Sequence, residues 1–339
     1  MEEYIYSNKK MNSVNQKKQK KKKIRQKIIN IIVIIIIIIL CVFLIVNYFN
    51  EKHKEYLYTL TYEYKLTNIG YDNSTITLIK EKLTDEQIDK LIEKDIIKCI
   101  DKLIINPYFI FNNIDRYELN YDYTNIDFDV NELIRKVNVN KDISSFTNIK
   151  EVDLSKEKEI LVNSYYKLDE NYVPDNLTKI SNMYCFTEMY AERETYEAYK
   201  KMYNAALDDG IKFLITSAYR SYDRQVDVLE DYRKTKGEEY AKKFVAIPGH
   251  SEHQTGLALD IFTYGGTMAT FENTEGYKWL KDNSYKYGFI LRYSKELQSL
   301  MGTTFESWHY RYVGVDTATK IYNEKLTFEE YYAYYVENK

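Results

Sequence analysis

The 339-residue sequence predicts a mixed fold of helices and short strands set behind one membrane-length helix. Three observations lead there. Ile28 to Phe49 is an unbroken uncharged run dominated by isoleucine. Residues 50–155 open with helix-spaced apolar positions, and from Ile160 onward helical stretches alternate with short strand-like runs.

At about 1.5 Å per residue, the isoleucine run is long enough to cross a hydrocarbon core of about 30 Å. A cleaved signal peptide has a shorter apolar core and a small-residue cleavage site, and neither is present, so a retained anchor is expected. Before Ile28 stand ten basic residues (Lys9, Lys10, Lys17, Lys18, Lys20 to Lys23, Arg25 and Lys27) against Glu2 and Glu3. Basic residues stay on the cytoplasmic side, which puts residues 1–27 inside and the remainder from Asn50 outside. A nucleic-acid arm is the weaker reading because the basic tail abuts the span; anionic lipid head groups are its expected contact. The tail is net +8 and the whole chain −3, so the external part is −11 and long-range attraction to an anionic surface is not expected.

In the external part, Thr84-Asp85-Glu86-Gln87 has the form of a capping box. Ile88, Leu91, Ile92, Ile96 and Cys99 follow at helical spacing, and Asn106-Pro107 ends the pattern. Ile114 to Val139 has no clear period, and Val137-Asn138-Val139 reads as a short strand. A spacer and a helical extension packed on the rest are both open readings of this region. Further on, a helix is expected over 188–208 with Gly210 as its stop, a strand over 212–217, a helix over 223–235, another around 277–280, and a strand over 289–293. Of the three cysteines, Cys41 falls in the span; a disulfide between Cys99 and Cys185 is open in an exported protein, but their placement in separate regions favours unpaired buried thiols. No Cys-x-x-Cys occurs, which excludes a thiolate zinc site.

Three of the four histidines fall in two short motifs, Pro248-Gly249-His250-Ser251-Glu252-His253-Gln254-Thr255-Gly256-Leu257-Ala258-Leu259-Asp260 and Glu306-Ser307-Trp308-His309. Two imidazoles and one carboxylate around Zn²⁺ leave a fourth tetrahedral position open for water. His253, Asp260 and His309 supply that set, with Glu306 spare as a base. The run from Leu257 to Ile261 alternates with period two, turning Leu257, Leu259 and Ile261 one way and Gly256, Ala258 and Asp260 the other. Glu306 and His309 are three apart, so a helical or tight turn is expected to bring them to one side. His250 in its Pro-Gly turn reads as an exposed loop residue and His53 as a solvated one. Trp308, Tyr310 and Tyr312 read as core and pocket wall.

Ser-x-His-x-x-Gly-x-Ala-x-Asp followed by Glu-x-x-His resembles the signature of the VanY-type D-alanyl-D-alanine carboxypeptidases, zinc enzymes that trim peptidoglycan stem peptides. Leu161-Val162-Asn163, Tyr172-Val173-Pro174-Asp175, Ser217-Ala218-Tyr219-Arg220-Ser221-Tyr222 with Gln225, and the run from Trp308 to Gly314 match in the family's order. The resemblance is close over about 156–316 and loose over about 60–150. It implies an α+β fold, a small mostly antiparallel sheet flanked by helices, with a zinc site at the sheet edge. It implies that His253, Asp260 and His309 ligate Zn²⁺, that Glu306 is the base and that Arg220 stabilises charge on the scissile carbonyl oxygen. Ser251 and Gln225 match positions near the bound peptide.

Such a site suits amide hydrolysis: the metal lowers the pKa of its water to about 7, a carboxylate moves the proton, and a fixed guanidinium meets the growing oxyanion. The expected layout is a cytoplasmic tail (1–27), a single-pass membrane helix (28–49), an extracellular arm (50–155) and a zinc carboxypeptidase domain (156–339). No nucleic-acid partner and no obligate protein partner are expected. A bias toward Ile, Lys, Asn and Tyr suits an AT-rich genome, and a low-GC Gram-positive source is expected. The sequence leaves two other functions open: an L,D-carboxypeptidase acting on the tetrapeptide stem, and a non-catalytic, zinc-stabilised wall-binding module.

Overall fold

The computed structural model describes residues 2–338, without the side chains of 2–17, 19, 55, 56 and 58–61. Lys9, Lys10 and Lys17 of the basic tail, with Glu2 and Glu3, therefore lie outside the described side chains. The chain forms two compact units, Met1–Ile96 and Ile97–Lys339.

The first unit is built on α1 (Glu2–Ile69), followed by α2 (Asn73–Lys82) and α3 (Asp85–Ile92). Gly70, at φ +115°, is the first glycine in the chain and ends α1. An isoleucine run favours strand in water, but a helix satisfies every backbone group within its own segment, as hydrocarbon requires. Lys20–Lys54 is long and apolar enough to cross a membrane, with an 18-residue stretch of mean hydropathy 3.7 and its apolar side chains exposed. Beyond it, Tyr62 and Leu66 of α1 are buried, as are Ile76 and Ile79 of α2 and Ile88 and Leu91 of α3. The Thr84 capping box forms as expected, with Gln87 returning the bond.

In the second unit, three helices come first: α4 (Ile100–Leu103), α5 (Ile114–Asn120) and α6 (Val130–Asn138). The strand expected at Val137–Val139 is instead the end of α6. Asp129 caps the helix by accepting from the backbone of Asn131 and Glu132, and Leu133, Ile134 and Val137 bury one face. The remaining elements are β1 (Lys150–Glu151), β2 (Tyr166–Lys167), β3 (Leu177–Lys179), β4 (Tyr190–Glu192), α7 (Arg193–Asp208), β5 (Phe213–Ser217), α8 (Tyr222–Lys236), α9 (Glu238–Phe244), β6 (Ala258–Thr263), α10 (Glu275–Asn283), β7 (Phe289–Tyr293), α11 (Gln298–Met301), β8 (Glu306–Tyr312), α12 (Val315–Glu324) and α13 (Phe328–Tyr332). α7 starts five residues later than expected because Tyr190–Glu192 pairs antiparallel with Leu177–Lys179.

A four-stranded sheet in the order β5-β6-β8-β7, antiparallel throughout, carries the second unit. One face bears Leu259, Ile261, Tyr310, Tyr312 and Phe289, which pack with Tyr199, Met202 and Ala206 of α7 and Tyr277 and Leu280 of α10. The other bears Ala258, Asp260, His309, Arg311, Ile290 and Arg292. Ile290 there belongs to a second cluster with Leu161, with Ala318 and Ile321 of α12 and with Phe328 and Tyr331 of α13. The period-two run around Asp260 thus separates an apolar face from a polar face, both of them buried. α6 joins this assembly through a fork from Arg135 to Glu330 (2.5 and 3.0 Å), and Tyr108 stacks on Tyr334.

The entry to β6 depends on Gly256. It sits at φ +69°, and a Cβ there would lie 3.0 Å from the Glu192 backbone nitrogen and 3.1 Å from Leu177 Cδ2. Gly256→Ala is expected to destabilise the protein by about 1–3 kcal/mol through backbone strain. Thermal unfolding will show this as a fall in Tm of roughly 2–4 °C per kcal/mol; an unchanged Tm would mean the turn relaxes freely.

Candidate active site

Register places the central pair. β6 and β8 align Ala258 with Arg311, Leu259 with Tyr310 and Asp260 with His309, so the last two side chains stand side by side on the polar face. His309 Nδ1 lies 3.1 Å from Asp260 Oδ1. His253 comes from the 3-10 turn Glu252–Thr255 that precedes β6. Its Nδ1–H donates to the Ala218 carbonyl at 2.8 Å, which leaves Nε2 facing Asp260 Oδ2 at 3.5 Å. One ligand atom from each of His253, Asp260 and His309 lies within 4.8 Å of the others, and all three residues are buried.

These residues fit a tetrahedral metal. Ligand atoms held 2.0–2.1 Å from Zn²⁺ at tetrahedral angles are roughly 3.3 Å apart, and the two imidazole contacts to Asp260, 3.1 Å to Oδ1 and 3.5 Å to Oδ2, are of that order. Both imidazoles turn a single nitrogen toward the carboxylate, while the other nitrogen is bonded elsewhere.

Glu306 lies beside this group, with Oε2 3.8 Å from His309 Nδ1 and a side chain 18% exposed. The expected turn is absent: Glu306 and His309 belong to one strand, where residues three apart ordinarily face opposite sides. Pairing with β7 supplies the reason. Leu291 pairs with Tyr310 and Tyr293 with Glu306, so four residues of β8 span two of β7, and this irregularity re-aims the carboxylate. Burial pushes the Glu306 carboxyl up to about 7, against an opposing pull from His309. Burial would also raise Asp260, but His253 and His309 outweigh it and hold that carboxyl well below the usual range.

Arg220 follows β5, where a register shift between Ile215 and Ser217 brings Ser217 opposite Asp260. Its two terminal nitrogens donate to Gln225 Oε1 (2.8 Å) and Ser217 Oγ (2.9 Å), and its backbone N–H donates to the His253 carbonyl at 3.0 Å. Gln225, on α8, uses its other end to donate to the Ala246 carbonyl at 2.7 Å, so it braces Arg220. Ser251 is buried immediately ahead of the His253 turn. His250 is half-buried rather than exposed, bonded through Nδ1 to the Asn163 carbonyl at 2.7 Å and outside the His253 group. Cys99 and Cys185 are buried free thiols.

Sequence reasoning missed Glu252, Arg292, Arg311 and Glu329, a fully buried cluster on the same polar face. Arg292 Nε donates to Glu252 Oε1 at 2.7 Å, and its terminal nitrogens fork onto Glu329 at 2.5 and 3.0 Å. The available signal was an arginine at alternate positions of otherwise apolar strands, in Phe289-Ile290-Leu291-Arg292 and Tyr310-Arg311-Tyr312.

Comparisons with known proteins agree with this architecture. The profile of the VanY family, D-alanyl-D-alanine carboxypeptidase, matches residues 188–315. YodJ of Bacillus subtilis (strain 168), named as a carboxypeptidase, is 40% identical over 200 residues, covering 55% of this chain and 73% of that one. A D-alanyl-D-alanine carboxypeptidase of Enterococcus faecalis (strain ATCC 700802 / V583) is 40% identical over 139 residues, covering 38% of this chain and 51% of its own length. The solved LdcB LD-carboxypeptidase superposes with a TM-score of 0.51 at 38% identity, covering 57% of this chain and 93% of LdcB. The fold and the polar face define a carboxypeptidase scaffold. The chain belongs to the VanY-type D-alanyl-D-alanine carboxypeptidase family.

Removing one member of a buried ion cluster strands its partners. Arg292→Met is expected to cost about 3–5 kcal/mol, measured as a lower denaturant midpoint. Adding Glu329→Gln should recover part of that loss, whereas purely additive losses would show that the two residues are uncoupled.

Proposed function

We propose that this protein is a membrane-anchored zinc carboxypeptidase that removes the C-terminal D-Ala of peptidoglycan stem peptides. The observation that carries the reading is the convergence of His253, Asp260 and His309, with the buried carboxyl of Glu306 beside them. In this reading residues 1–27 are a cytoplasmic tail and 28–49 the span. Residues 50–155 form an extracellular arm, and 156–339 are the catalytic domain. The span tethers the enzyme near its substrate, and the basic tail orients it.

His253, Asp260 and His309 hold the metal. Zn²⁺, when bound, supplies Lewis acidity and a water acidified to a pKa of about 7. Glu306 takes the proton of the attacking water and returns it to the leaving amine, a role suited to a carboxyl raised toward neutrality. Arg220 has five N–H donors. Those engaged by Gln225 and Ser217 fix its plane, and the rest are available to the oxygen on which charge develops. Ser251 and Gln225 border the peptide, Gln225 acting through Arg220.

The likeness to LdcB favours a second reading, in which the same residues cut the L,D bond of a tetrapeptide stem. Purified protein will be incubated with pentapeptide and tetrapeptide muropeptides and the products weighed. Loss of D-Ala from the pentapeptide is expected, while release from the tetrapeptide alone would replace D,D with L,D specificity. Chelation should abolish either release, and added zinc should restore it; release that survives full chelation would remove the metal from the reaction.

Arg220→Ala is expected to fold and retain zinc but lose about 10²–10³ in turnover. Glu306→Gln should likewise retain zinc and lose nearly all turnover. Normal rates in either purified variant would withdraw the role assigned to that side chain.

A further inference from the structure

The buried carboxylate of Glu252 is used unevenly. Its Oε1 accepts from Arg292 Nε at 2.7 Å and from Arg311 Nη1 at 3.1 Å, whereas Oε2 lies 3.2 Å from His309 Nε2. One oxygen is thus pinned by two guanidinium groups, and the other is offered to an imidazole. The opposite nitrogen of that imidazole, Nδ1, is the one that faces Asp260.

Each arginine is otherwise engaged. Arg292 turns both terminal nitrogens to Glu329 of α13, and it is Nε that reaches Glu252. Arg311 donates to the carbonyls of Ile160 (2.8 Å), Lys158 and Tyr312 (both 3.1 Å), leaving Nη1 for Glu252. Arranged in this way, each arginine meets Glu252 through one nitrogen at Oε1, and neither forks onto both of its oxygens. Two guanidinium and two carboxylate groups also balance in charge, which lets all four stay buried.

We infer that Glu252 is a positioning residue that selects Nδ1 of His309 as the metal-binding atom, and that Arg292, Arg311 and Glu329 hold Glu252 in that task. The inference rests on the metal reading given above. A carboxylate that accepts from Nε2–H keeps the proton there and turns the Nδ1 lone pair toward the cation. In Glu252→Gln, the amide oxygen remains with the arginines, and the NH₂ group faces His309. Nε2 must then accept, the proton moves to Nδ1, and the ligand atom is lost.

The full-length protein in detergent is the sample for the test. Zinc affinity is measured by competition with a chromophoric chelator, and folding by thermal unfolding. Wild type is expected to bind zinc, and folded Glu252→Gln to bind it 10–100-fold more weakly. Glu252→Gln that folds and binds zinc like wild type overturns the inference while leaving the metal reading intact. Wild type that binds no zinc overturns both.

A second measurement needs no variant. The chain has four histidines, so ¹⁵N-histidine labelling of the ¹¹³Cd-loaded protein gives a spectrum in which metal–nitrogen coupling identifies each bonded atom. Coupling to Nδ1 of His309, with the proton on Nε2, is expected; coupling to its Nε2 overturns the assignment even if Glu252→Gln fails to fold.

Discussion

The pairing of β6 with β8, in which Asp260 stands opposite His309, is the constraint on which the site depends. A slip of one residue would turn Asp260 to the apolar face and Leu259 to the polar one, exchanging the two chemistries. The register is therefore enforced by the core. Leu259, Ile261, Tyr310 and Tyr312 must reach α7 and α10, and the carboxylate and imidazole are carried to the other face as a consequence. The remaining parts are hung from this pair. The turn before β6 brings His253, the shift at the end of β5 brings the Arg220 segment, and the irregularity in β8 brings Glu306.

A buried polar face is costly unless its charges are matched. Here the matching has two parts. Around Asp260, two imidazoles keep the carboxylate ionised despite desolvation. Beneath them, Arg292 and Arg311 offset Glu252 and Glu329, and the aromatic ring of Phe328 lies beside both guanidinium groups. Glu329 and Phe328 belong to α13, near the end of the chain, so the C-terminal helix is an integral wall of the polar face. The helical segment before β1 is tied to that wall through Arg135 and Glu330.

Much of the site was legible because its residues travel in compact motifs. The six-residue interval from His253 to Asp260 encodes a turn and half a strand, and its alternation correctly sorted the two faces of β6. The Thr84 capping box was legible for a similar reason, since both of its partners are three residues apart. Glu306 and His309 were misread because an i, i+3 interval suggests a helical turn, and nothing local announces a strand irregularity. α6 was missed because its apolar face has only three anchors. Glu252 was passed over beside two histidines, although a carboxylate in a strongly patterned motif needs a partner once it is buried.

Local spacing and side-chain chemistry were enough to indicate the membrane-length helix, the donor set of two imidazoles and a carboxylate, and the family. Each of these is carried by a short stretch whose periodicity or functional groups do not depend on distant residues. The division of Glu252 between two arginines and a histidine, the bracing of Arg220 by Gln225 and the closure of the polar face by α13 arise from folding. The contacts of α13 join residues up to 195 positions apart, as between Arg135 and Glu330, and such pairings are chosen by burial and charge balance across the whole unit rather than by any local pattern.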